Sequence, residues 1–368
     1  MPKPLSAIDC IGPAFAQTKR QLFVPFRFQR WARLALVCLI TGEFTGGGGF
    51  GGNFNYPQSR SRGGNSLLNP EQFDWRHLHS FLPWIIAGVA LLLLLVLLWV
   101  YVASVYRFVL FDSVLYDRCE LKGSWGRWEP YGRSYFFWCL SLFLAVSIGL
   151  LLLIGGPIFF AWRAGLFHHP REHLAALILG GLMLLFVLFA FFVLSALVAL
   201  FAKDFCVPLM ALEKLGVLDA WRRLLPMLGA EKMAFTGFVL MKIVLAMGSA
   251  IIFGIITLLA LVAVAIPLVI AGVVLFFVGK AVGLAWNLTT ISIVVILGGI
   301  ILTGILYLIA LMSTPPMVFF QSYVLHFFGA RYSTLGAVVF PPPPGAPPPP
   351  SAEEPPALEP PPAPAPAG

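Results

Sequence analysis

Apolar residues along this chain fall in long unbroken runs, not in the spaced stripes of a soluble helix. Phe81 to Tyr106, Ser134 to Trp162 and Leu174 to Ala202 carry no formal charge, and the run from Ile243 to Ala330 is broken only by Lys280. About 20 apolar residues suffice to cross the hydrocarbon core of a bilayer as a helix. The pattern therefore predicts an all-α protein, a polytopic transmembrane helical bundle. Spans are expected at about Leu82 to Ser104, Tyr135 to Ala161 and Leu174 to Phe201. Charged loops, Arg107 to Arg133 and Lys203 to Lys232, follow the first and the third, and the short "RAGLFHHPREH" follows the second.

The apolar stretch Ala234 to Gly279 would be roughly 70 Å long as one helix, more than a bilayer is thick. It is read as two spans turning near Pro267, where the missing backbone donor interrupts the ladder. A last span runs from Asn287 to about Met312; "STPP" ends it, and "MVFFQSYVLHFFG" resumes as an interfacial or re-entrant helix. The count is about six spans.

Four segments follow from these boundaries. Residues 1–45 pair Lys19, Arg20, Arg27, Arg30 and Arg33 with Leu22, Phe23, Phe26, Phe28, Trp31 and Leu34, the makeup of a basic amphipathic helix in the headgroup layer. A secretory signal has a similar outline, but "GEFTGGGG" offers no small-residue cleavage site. Residues 46–80 form a Gly-rich extramembrane loop. Its "GGGGFGG" has neither a strand before it nor a helix opening after it, so it is a linker and not a phosphate cradle. Residues 81–332 form the transmembrane domain, and 333–368 a disordered Pro-rich tail. About half of the last 28 residues are proline, which gives an extended, polyproline-like spacer or a ligand for a proline-recognising partner.

Composition agrees: 59% of the residues are hydrophobic, only 11% are charged, and the mean hydropathy is +0.90. Soluble domains carry roughly 25% charged residues. The net charge of +8 sits in short loops beside apolar runs, where Lys and Arg meet anionic headgroups. Membrane lipids are thus the expected partners, and nucleic acid is not. The five cysteines are odd in number and lack CxxC spacing, which argues against a disulfide framework or a zinc site. Cys139 is expected to be a buried small hydrophobe.

The two charged loops echo each other. Trp125, Arg127 and Pro130 recur as Trp221, Arg223 and Pro226, with Phe108 and Phe205 upstream, at a period of about 96 residues. Two spans lie between the copies, so both loops face one side, as in a parallel repeat. Each loop holds five Lys and Arg, against Arg163 and Arg171 in the connection between them, which points the echoing loops to the cytoplasm. In the second loop, Leu209, Leu212, Leu215, Leu218, Trp221, Leu224 and Leu225 recur at helical spacing and predict one surface-lying amphipathic helix.

Candidate chemistry is sparse. His168, His169 and His173, with His77, His79, Asp74 and Glu172, could form an external zinc or copper site, although the spacing fits no recognised signature. Lys242 is a charge well inside a span: either an anion-binding or proton-handling group, or a side chain snorkelling to headgroups. Asp112 and Glu213 are the best candidates for buried acids, with helix-end salt bridges as their expected duty. Small residues such as Gly248 with Gly254, Gly279 with Gly283, and Gly298, Gly299 and Gly304 would allow close helix approach. No HExxH, GxSxG or Walker sequence is present. No cofactor is implied.

Several segments together, "LFVPFRFQRWARL", "RFVLFDSVL", "VPLMALEKLGVLDAWRRLLPML" and "TPPMVFFQSYVLHFFG", resemble a group of uncharacterised bacterial multi-pass proteins. These are distantly similar to the membrane domain fused to some glycerophosphodiester phosphodiesterases. The resemblance implies a bacterial inner-membrane bundle without the phosphodiesterase's catalytic barrel, and it carries over no site residues. The expected function is that of a non-enzymatic, multi-pass component of the bacterial cytoplasmic membrane that organises the membrane or binds partners. The alternative is a transporter or lipid-handling channel, which needs a polar lining that these spans offer only in Lys242, Thr289, Thr290, Ser292 and Thr303.

Overall fold

A computed structural model describes residues 5–24, 26–42, 75–116, 123–165, 174–281, 283 and 287–340. Among these there is no strand. The helices are α1 (Ile11–Leu22), α2 (Phe28–Thr41), α3 (Trp75–Leu115), α4 (Ser124–Arg163), α5 (Leu174–Phe201), α6 (Val207–Glu213), α7 (Val217–Ala230), α8 (Lys232–Ala281), α9 (Leu288–Gly329) and α10 (Ser333–Val339). A π-helical turn, Ala202–Cys206, fuses α5 to α6.

Five of these helical segments are long and apolar enough to cross a membrane: Leu82–Leu115, Ser124–Arg163, Leu177–Glu213, Lys232–Ala281 and Thr290–Gly329. The structure thus has five such helices where six spans were expected. The difference lies in α8, which runs 50 residues with Pro267 inside it and does not turn there. A proline removes one backbone bond and bends a helix, but a chain reversal needs several adjacent residues able to leave helical geometry, and around Pro267 "LVAVAIPLVIAG" offers only the distant Gly272.

The same reasoning corrects the stop expected at "STPP". Helix α9 continues through Pro315 and Pro316 to Gly329. Pro315 cannot donate to the carbonyl of Leu311, four residues back, and the indole Nε1 of Trp31 donates to that carbonyl instead, at 3.0 Å. Asn287 starts the helix as an N-cap, its Oδ1 accepting from the Thr290 backbone N–H at 2.9 Å.

Burial is concentrated at one end. The buried residues of the long helices fall within Ser104 to Val114 at the end of α3, Ser124 to Tyr135 at the start of α4, Ala202 to Ala211 around the π-turn, Phe235 to Lys242 at the start of α8 and Ala310 to Phe328 in the second half of α9. We call this packed end the hub. Beyond it, four of the five long helices have no buried residue in their most apolar stretch. The exposed part of α9, Thr290 to Ile309, rises about 30 Å, the thickness of a hydrocarbon core.

Several glycines show the same division, although Gly149 of α4 abuts the Phe191 ring of α5, 2.6 Å from where its Cβ would lie. A Cβ on Gly132 would lie 2.8 Å from the Val105 Cα, so the glycine lets α4 press onto α3 inside the hub. Gly248, Gly254, Gly298, Gly299 and Gly304, expected to mediate close helix approach, have nothing within 4 Å of such an atom. Gly283 instead takes a left-handed turn, φ +73°.

The N-terminal segment, expected to be one helix in the headgroup layer, is two helices packed into the hub. In α1, Ala14, Thr18, Gln21 and Leu22 form the buried face; in α2, Leu34, Ala35, Val37, Cys38 and Thr41 do. Gln17 and Gln21 donate to the Val114 carbonyl in the last turn of α3, at 3.2 and 2.7 Å, capping a carbonyl that lacks a helical partner. Tyr323 Oη donates to the Ala7 carbonyl at 3.0 Å, and Arg331 to that of Leu5 at 3.1 Å. Helix α3 begins at Trp75, inside the segment expected to be loop. Residues 43–74 and 341–368 lie outside the described residues, and the tail expected to be disordered from 333 starts as the helix α10.

Candidate functional site

The candidate site stands where the hub meets the exposed spans. Its centre is an aromatic cluster: Phe205 from the π-turn, Phe235 and Phe238 from α8, and Tyr323, Phe327 and Phe328 from α9, every one at most 2% exposed. Ring centroids in this cluster lie as close as 4.5 Å (Phe238 and Phe327) and 5.2 Å (Phe205 and Phe328). At its edge sit two charges. Lys242 Nζ forms a salt bridge with the Asp204 carboxylate, and the side chains are only 4% and 3% exposed. Lys242 also lies over the Phe238 ring, 5.9 Å from its centroid. The next residues of α8, Ile243 and Val244, are already exposed.

The π-turn explains how the acid reaches this place. Its closing bond runs from the Val207 N–H to the Ala202 carbonyl, five residues back. One extra residue in the turn rotates the chain so that Asp204, Phe205 and Cys206 all point into the hub. An isolated charge here would be expelled or neutralised. Paired, the two make a unit of zero net charge whose loss of hydration is offset by mutual attraction.

Lys242 therefore does not snorkel to headgroups: its stem ends on an acid inside the protein. Asp204 was the missed residue, placed by sequence reasoning in an exposed charged loop. The available signal was an acid set in "LVALFAKDFCVPLMAL", a run that is apolar on both sides.

The other candidates fall elsewhere. Asp112 faces Arg127 at 3.8 Å, the helix-end contact expected. Glu213 receives Arg223 Nη1 at 2.6 Å and the Tyr332 hydroxyl, tying α6, α7 and the start of α10 together. Burial raises the Tyr332 phenol above its usual value, and the bond to Glu213 adds to this. His168, His169 and His173, with Asp74 and Glu172, lie outside the described residues, and His77 and His79 fall on the first turns of α3. Among the described residues no three His, Cys, Asp or Glu gather as metal ligands. Cys139 is half-buried, whereas Cys10, Cys38 and Cys206 are the buried thiols, and none of the four is in a disulfide.

The echoing loops do share one end of the molecule, with Phe108 and Phe205 both at 0% exposure in its core. Their helices differ. Trp125 opens the continuous α4, whereas Trp221 lies on the separate α7, its ring tilted against Trp138 with centroids 6.2 Å apart. The single amphipathic helix expected in the second loop is two, broken at Lys214 with φ 56°. The buried face of α7 is Val217, Ala220 and Leu224, which leaves Leu218 and Leu225 outside.

A family model described as a family of unknown function, DUF7544, matches residues 5–338. The chain belongs to DUF7544. The match takes in every helix of the hub and the Lys242–Asp204 pair, so the packed end and the exposed helices both lie within the family's extent. No curated protein and no solved structure matches this DUF7544 member. The likeness to the phosphodiesterase membrane domain gains no support from these comparisons and carries nothing further here.

Proposed function

We propose that this protein is a non-enzymatic, multi-pass component of the bacterial cytoplasmic membrane, which presents its exposed spans to lipid or to partner helices and holds them in place by a packed cytoplasmic hub. The observation that carries this reading is the contrast in burial: the most apolar stretches of four spans are wholly unburied, while the core gathers at one end. A protein that carries a solute needs polar groups converging at the middle of the membrane. Lys242 is spent on Asp204, and the Thr303 hydroxyl on the Gly299 carbonyl of its own helix at 2.8 Å. Orientation follows from charge: α1 and α2 bring Lys19, Arg20, Arg27, Arg30 and Arg33 to the end that also holds the two basic loops. On this reading anionic lipid is one partner class, and a proline-recognising protein, bound to the tail, is another.

Single cysteines at Leu98, Leu194, Gly254 and Gly299 test the proposal. In native membranes they are expected to resist a membrane-impermeant maleimide from both sides, while a cysteine at Gly216 reacts only from the cytoplasm. Labelling on alternate turns of several spans would reveal a water-filled path and replace this reading with transport.

A further inference from the structure

We propose that the turn between α1 and α2 is an anchor that inserts into the leaflet on the hub side and recognises anionic phospholipid. The proposal rests on the spans crossing a bilayer. Four apolar side chains crowd this turn without cover: Phe23, Val24, Phe26 and Phe28 are 49%, 57%, 57% and 60% exposed. Phe23 and Phe26 meet Trp31 edge-on, with centroids 5.3 and 5.4 Å apart, so the rings form one patch. In water such a patch would be costly.

Its level relative to the bilayer is set by two long-range bonds. Trp31 Nε1 donates to the Leu311 carbonyl, and Tyr307 Oη to that of Ala32 at 3.3 Å. Those α9 residues flank the point where the exposed stretch of about 30 Å gives way to the buried half at Ala310. The turn therefore sits where hydrocarbon ends and headgroups begin, the depth at which aromatic rings partition best.

Charge selects the lipid. No acidic residue lies between Asp9 and Glu43, while Lys19, Arg20 and Arg27 are exposed on and beside the turn. A ring of cations around an apolar tip suits phosphate headgroups around acyl chains, and each basic residue near an anionic surface favours binding about fivefold.

A nitroxide on Val24→Cys, with Cys119 and Cys139 replaced by Ala, reads the depth of the turn. The full-length protein is placed in nanodiscs of phosphatidylcholine alone or of phosphatidylcholine with phosphatidylglycerol. In anionic discs the label is expected to be reached by oxygen and shielded from a water-soluble nickel relaxant. Arg20→Gln with Arg27→Gln should lower that insertion about 30-fold, with the elution profile of the protein unchanged. A label equally open to nickel in both discs overturns the proposal. So does insertion that ignores lipid charge and the double substitution, because the turn would then be only a greasy tip. Shielding that appears only on adding an acidic peptide would make the partner a protein and overturn it as well. The cysteine scan of the spans reads a different region, so either reading can fail without the other.

Discussion

The hub and the spans are both rich in large apolar side chains and differ in what those side chains touch. In the hub, Phe205, Phe238 and Phe327 interlock, and Gly132 exists to let α3 and α4 meet. In the spans, Leu185, Phe186, Ile252 and Val295 stand exposed by 58–70%, and Gly254 and Gly299 face open space. Apolar composition alone therefore does not produce a core. In lipid there is little hydrophobic gain from packing helix on helix, so close association needs shape fit or polar bonds. The hub has both.

Three changes would break or sharpen this contrast. The largest effect is expected from Lys242→Met, which leaves the Asp204 charge buried and alone; breaking such pairs costs about 3–5 kcal/mol. Thermal unfolding in detergent should show a folded hub lost or much weakened, and Lys242→Met combined with Asp204→Leu should recover most of it. If the single change were harmless, the hub would not depend on the pair.

Next comes a matched glycine pair. Gly132→Ala drives a Cβ against the Val105 backbone and should cost about 1–3 kcal/mol. Gly299→Ala, in open space, should stay within about 0.5 kcal/mol. Equal melting shifts for the two would erase the distinction between the regions.

The smallest effect is a pH dependence. Burial pushes the Cys10 thiol up to about 11 from an ordinary 9.0, with Arg331 opposing and Asp9 adding. The unfolded chain thus loses this proton before the folded one, so stability falls as pH rises through that interval. Cys10→Ala should melt with a flatter slope there, which melting curves at successive alkaline pH values would register.

Much of this architecture can be read directly from residue patterns. Charge-free runs mark the exposed parts of α3, α4, α5 and α9, because lipid-facing helices need only length and apolarity. Asn287 marks the start of α9 in the same way. The hub is not legible by that route, since its stability comes from contacts far apart in the chain. Trp31 and Leu311 are 280 positions apart, and nothing local announces that an indole would cover the carbonyl bared by Pro315. Continuous α8 and α9 are hidden in the sequence because Pro267 and Pro315–Pro316 read as stops. The site was half visible: Lys242 stands out in an apolar run, but Asp204 beside Lys203 looks like ordinary loop polarity until the turn geometry carries it inward.

That turn also makes chain length a determinant in its own right. Removing a single residue between Ala202 and Cys206 would leave hydropathy almost untouched and let α5 continue regularly into α6. It would also swing Val207 through Ala211 by about 100°, taking five buried side chains out of register with α3 and α7 at once. Across related sequences, gaps should thus be rarer in these five positions than exchanges of one apolar residue for another.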